Sequence, residues 1–77
     1  MPTVLRCRNY AVRIYFHDHP PEHVHAVGPD WVVVLDLAEM TIRAIDGKTT
    51  RREARQVMHE MIEHRDFLLA EWSRIHG

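Results

Sequence analysis

Trp31-Val32-Val33-Val34-Leu35-Asp36-Leu37 decides how this chain of 77 residues folds. Side chains alternate faces along an extended segment, so Trp31, Val33, Leu35 and Leu37 form one apolar row. Val32 and Val34 make the opposite row partly apolar as well. A strand apolar on both faces belongs inside a sheet or under a cover. Gly28-Pro29-Asp30 is the turn that precedes it, and His23 to Val27 is the extended run before that turn. In that run Val24 faces one way and His23 and His25 the other. Pro20-Pro21 offers no backbone donors and must be a loop or turn.

Further towards the N-terminus, Tyr10 to His17 alternates. Tyr10, Val12, Ile14 and Phe16 are expected to face inward, and Ala11, Arg13, Tyr15 and His17 outward. Arg8-Asn9 separates this run from a short β-prone segment, Thr3 to Cys7. On the other side of the central strand, Thr41 to Ile45 adds a last short strand, and Asp46-Gly47 turns out of it. Thr50-Arg51-Arg52-Glu53 has the form of a helix capping box. An apolar stripe follows at helical spacing through Ala54, Val57, Met58, Met61, Ile62, Arg65, Leu68, Leu69, Trp72 and Ile75. One unbroken helix would be about 35–40 Å long at 1.5 Å per residue. That is long for so small a domain and points to a bend or split near Arg65-Asp66. The expected fold is α+β: an antiparallel sheet of about four strands over residues 1–47, then a helical segment over 48–77, in a single domain.

A hydrophobic content of 45% with 27% charged residues is that of a folded chain, and the net charge of −1 exerts no overall pull on nucleic acid or anionic lipid. A single cysteine, Cys7, excludes an internal disulfide and a Cys-rich zinc module and reads as a buried thiol. No apolar run is long enough to cross a bilayer and no leader is evident, so the expectation is a cytoplasmic protein without a membrane role. Edge strands and the two-sided apolar strand are compatible with a homodimer.

The chemistry is concentrated in His17-Asp18-His19-Pro20-Pro21-Glu22-His23-Val24-His25, which holds four of the seven histidines. His23 and His25 present two imidazoles side by side. A hairpin through the prolines is expected to bring His17 and His19 opposite them. Imidazole nitrogen with a carboxylate is a ligand set for zinc and similar divalent ions. His19, His23 and His25 are the candidate ligands, with His17 in reserve. Asp18 is the first candidate for the supporting carboxylate, and Glu22 is a second carboxylate or, in an enzyme, a general base. Three protein ligands leave an open position for reactivity, whereas four make a structural site. The same stretch also reads as a solvated or partner-binding surface.

Two other groupings carry less. His59-Glu60-Met61-Ile62-Glu63-His64 resembles a zinc-protease helix only superficially. Its histidines are five apart and diverge by roughly 140°, whereas that motif needs them four apart. The pairs His59/Glu63 and Glu60/His64 are expected on a solvated face. Lys48, Arg51, Arg52 and Arg55 crowd the start of the helix, where cations oppose the macrodipole. They read either as a solvated face or as a site for an anion, a phosphate backbone or an acidic partner. No aromatics interleave them, which weakens a single-strand nucleic-acid reading. No glycine-rich phosphate loop is present, and Ser73, the only serine, lies late in the helix.

The opening Met1-Pro2-Thr3-Val4-Leu5-Arg6, the segment Asp18-His19-Pro20-Pro21-Glu22-His23-Val24-His25-Ala26 and the terminal Glu71-Trp72-Ser73-Arg74-Ile75-His76-Gly77 together resemble small bacterial proteins grouped as domain-of-unknown-function family 4160. The most specific element is Asp-His-x-Pro-x-His-hydrophobic-His, matched by Asp18, His19, Pro21, His23, Val24 and His25. His17 falls outside it. The resemblance implies no agreed biochemical activity. It does imply a protein partner, since such proteins are encoded beside another small protein in arrangements like toxin–antitoxin pairs. The leading expectation is therefore a small binding protein with a metal-binding hairpin. The rival is a small metal-dependent hydrolase or nuclease that uses the same ligands.

Overall fold

The computed structural model describes residues 3–77; Met1 and Pro2 of the opening run lie outside the described residues. Five strands, β1 (Thr3–Arg6), β2 (Ala11–Arg13), β3 (His23–Val27), β4 (Trp31–Asp36) and β5 (Thr41–Gly47), form one antiparallel meander in the order β1-β2-β3-β4-β5. Two helices follow, α1 (Arg51–Glu63) and α2 (Arg65–His76). The fold is α+β, with five strands where about four were expected. β4 lies inside the sheet, as its two apolar rows require. Trp31, Val33 and Leu35 are buried on the core side, while Val32 and Val34 are half-buried on the other.

The core joins sheet and helices in one cluster. Val12, Ile14, Val24, Ala26, Val33, Leu35 and Leu37 meet Val57 and Met61 of α1 and Leu68 and Trp72 of α2. Cys7 is half-buried against it. The capping box forms as its spacing demands. Glu53 N–H donates to Thr50 Oγ1 at 3.0 Å, and Thr50 N–H donates to Glu53 Oε1 at 2.8 Å.

Three local expectations need correction. The alternation from Tyr10 stops at Ile14, which is fully buried, because the chain turns at Tyr15–Asp18. Phe16 is therefore 73% exposed rather than inward. β5 runs two residues beyond Ile45, to Gly47. There φ is +89°, and a Cβ would collide with the Asp30 carbonyl, so glycine lets the strand end close to its neighbour. The helical stretch splits at His64 (φ −106°, ψ 14°), next to Arg65-Asp66 as expected. Arg65 at this junction donates from Nε to the Leu37 carbonyl at 3.0 Å and pins the bend to the end of β4. Ile62, assigned to the apolar stripe, is 54% exposed, because the buried stripe runs through Val57, Met61, Leu68 and Trp72 and Ile62 lies about 100° round the helix from Met61.

The histidine–carboxylate pairs of α1 are not all solvated. Glu60 is half-buried and accepts a hydrogen bond from the Tyr10 hydroxyl, which ties α1 to the chain just before β2. Burial, helped by Cys7 and Glu60, pushes the Tyr10 phenol far above its ordinary range, so it stays a donor.

Candidate metal centre

β3 sets the first two side chains. His23 and His25 are two residues apart and so share a sheet face, opposite the fully buried Val24. Their ring centroids are 5.4 Å apart. The third group comes from the turn that ends the alternation. Tyr15 N–H donates to Asp18 Oδ2 at 2.9 Å, and Asp18 N–H donates to the Tyr15 carbonyl at 3.0 Å. These two bonds fold the carboxylate back over β3. Asp18 Oδ1 lies 3.5 Å from His23 Nε2, and Asp18 Oδ2 lies 3.7 Å from His25 Nδ1. One ligand atom from each residue falls within 4.8 Å of the others.

The walls of this group are aromatic. His23 is only 7% exposed, since Trp72 of α2 lies against it with ring centroids 5.3 Å apart. His76 stacks on the same indole at 3.9 Å. Tyr15 meets His25 edge-on at 4.8 Å. The Pro20–Pro21 peptide bond is cis, and the Pro21 carbonyl lies 2.9 Å from His23 Nδ1. A carbonyl only accepts, so Nδ1 carries the proton of that bond. In the neutral ring the Nε2 lone pair then faces Asp18. This is the outer arrangement that orients metal-ligating imidazoles. His25 Nδ1 is buried and has no hydrogen-bond partner. Burial holds the His25 pKa below its usual value against the opposing pull of Asp18; His23 and Arg43 lower it further. The neutral ring, with a free lone pair, is thus favoured at physiological pH.

Asp18 stands 3.5 and 3.7 Å from one nitrogen of each imidazole, a spacing that a cation among them could bridge. Bonds of about 2.0–2.2 Å at tetrahedral angles would place ligand atoms roughly 3.3–3.5 Å apart. The two Asp18 separations are already close to this, and all three ligand atoms lie within 4.8 Å of one another. Three protein ligands leave coordination positions for water or another molecule.

The expected residues divide as follows. Asp18, His23 and His25 come together. His19 is exposed and lies outside the group, so the carboxylate takes the place expected of a third imidazole. His17 is also exposed and packs edge-on against Phe16, with centroids 5.8 Å apart. The β2–β3 register explains both. The residue opposite His25 is Arg13, and β2 ends there, so no strand carries His17 or His19 back across β3. Glu22 is half-buried, and its carbonyl accepts from Leu37 N–H at 2.9 Å. Lys48, Arg51, Arg52 and Arg55 are exposed where α1 begins. Trp72 and Arg13, not among the expected site residues, are parts of the surroundings. Arg13 was legible as an outward residue of the Tyr10–His17 run. Nothing local to Trp72 marks it as a neighbour of His23.

A family model described as a domain of unknown function, DUF4160, matches residues 9–73. The chain belongs to this family. The match takes in β2 to β5, α1 and most of α2, and with them Asp18, His23 and His25. No curated protein and no solved structure matches this DUF4160 chain. Among the described residues, no helix is long and apolar enough to cross a membrane.

Proposed function

We propose that this chain is a small cytoplasmic binding protein that holds a divalent metal, zinc or a similar ion, through Asp18, His23 and His25, and that works with a protein partner in a toxin–antitoxin-like pair. One observation carries the metal reading: His23 Nε2 and the unpartnered His25 Nδ1 both face Asp18, with His23 pre-oriented by a backbone carbonyl. The partner reading is supported by the sheet face that carries the histidines. Its half-buried Val27, Val32 and Val34 offer apolar surface next to the site.

Metal analysis of protein purified without a histidine tag tests the first part. About one divalent ion per chain is expected, and less than about a tenth of that after His23 and His25 are both replaced by alanine. Metal content that does not depend on these two residues would refute the site. Co-purification with the product of the adjacent gene tests the partner. A complex stable at micromolar concentration is expected, and its absence would count against the pairing.

The open coordination of a three-ligand site favours one second reading, a metal-dependent hydrolase or nuclease with Glu22 as general base. Metal-dependent cleavage of a nucleic acid by the loaded protein, abolished by chelation, would move the assignment to the enzyme. Loaded protein without such cleavage leaves the binding role.

A further inference from the structure

On the same face of the sheet Arg13 stands directly opposite His25, paired with it in the β2–β3 register. Cross-strand partners put their side chains side by side, about 5 Å apart at Cβ. Arg13 Nε is buried and has no hydrogen-bond partner. A buried guanidinium N–H without an acceptor is costly, so an acceptor is expected in its vicinity. Across β3 the arrangement differs. His23 pairs with Asp36 in the β3–β4 register, and Asp36 Oδ2 accepts from Arg43 at 3.1 Å. That arginine already has its anion.

The charges then decide what the site lacks. Arg43 is paired with Asp36, whereas Arg13, opposite His25 in the register, has no acidic partner among the described residues, and its charge is equal and opposite to that of Asp18. A divalent ion at Asp18, His23 and His25 therefore leaves two positive charges in a half-buried setting, together with open coordination positions and an unpartnered arginine donor. Water or hydroxide can fill the coordination positions but does not neutralise two charges. A carboxylate removes only one. A phosphomonoester removes both, has oxygens to spare for a guanidinium after one has bound the metal, and matches the planar donor fork of arginine.

We propose that the Asp18–His23–His25 centre binds its metal together with a phosphomonoester dianion, one oxygen on the metal and others on the Arg13 guanidinium. This rests on the metal reading above. It identifies the ligand of the open positions, and it makes Arg13 a binding residue for that ligand rather than for the metal.

Cobalt(II), whose visible absorption reports its ligands, gives a test that separates the two ideas. The full chain is first titrated with cobalt, then with inorganic phosphate. A cobalt band that disappears with His23→Ala, followed by a saturable change in that band on adding phosphate, is expected. Arg13→Gln is expected to weaken phosphate binding by about tenfold to a hundredfold while cobalt affinity without phosphate is unchanged or slightly tighter. Arg13→Lys, which keeps the charge and the fold but loses the fork, is expected to fall between them. Absence of the cobalt band overturns the metal reading and this inference with it. A cobalt band that phosphate does not alter, or phosphate affinity that neither Arg13 variant changes, overturns this inference alone. Phenyl phosphate and a short single-stranded oligonucleotide without terminal phosphates then compete against phosphate. The charge balance expects phenyl phosphate to compete and the oligonucleotide not to; competition by the oligonucleotide alone overturns the assignment to a monoester.

Discussion

Trp72→Ala is expected to lower the unfolding free energy by about 3–5 kcal/mol, the usual range for emptying a buried aromatic site. A 77-residue domain at roughly 0.05–0.15 kcal/mol per residue has only about 4–12 kcal/mol in all. The variant should therefore sit near the edge of folding at 25 °C, which urea denaturation followed by circular dichroism would measure. The size of the effect follows from position. Trp72 is 6% exposed, belongs to the core cluster, covers His23 and supports the stacked His76. Trp72→Phe keeps much of the apolar contact and is expected to lose well under half as much. Equal losses for the two variants would mean that the indole is not a main packing element.

Asp18→Asn is expected to weaken divalent-metal binding by about a hundredfold or more while changing folding stability by less than about 1 kcal/mol. The two effects separate because Asp18 has two tasks. Its Oδ2 accepts from Tyr15 N–H, and an asparagine amide oxygen does the same. Its negative charge faces two imidazole nitrogens, and asparagine removes that charge. Metal titration by calorimetry, set beside thermal melting of the metal-free proteins, would show the separation. A metal affinity unchanged by Asp18→Asn would remove the carboxylate from the ligand set. A large loss of stability would mean that the turn depends on the charge itself.

Much of this arrangement was legible in the residues. The two apolar rows of Trp31 to Leu37 placed β4 inside a sheet, and the Thr50–Glu53 pattern located the start of α1 to the residue. The alternation of His23, Val24 and His25 put both imidazoles on the face opposite Val24, but both were expected to point outward, whereas Trp72 of the core cluster buries His23. Histidine 19 was misjudged because its role depended on how far β2 continues, which period-2 alternation alone does not limit. Phe16 extends the apolar pattern perfectly well; what ends the strand is the pair of hydrogen bonds between Tyr15 and Asp18, a contact between a backbone and a side chain that no hydropathy pattern contains. The same bonds bring the carboxylate to the histidines, so one unseen turn accounts both for the lost imidazole and for the group that took its place. Trp72 was recognisable as core but not as the neighbour of His23, because a contact across 49 positions is set by the angle at which α2 packs.

That angle originates at His64. Run straight, the 26 residues from Arg51 to His76 would make a rod about 39 Å long. The molecule's greatest extent is 34 Å, so such a rod would protrude past the sheet with its last turns in water. The break at His64 instead redirects the chain, and Trp72 of α2 lies against His23 of β3. During synthesis Asp18, His23 and His25 emerge first and Trp72, which covers His23, emerges among the last residues, so a nascent chain displays these three side chains to the surrounding solution before α2 exists to shelter them.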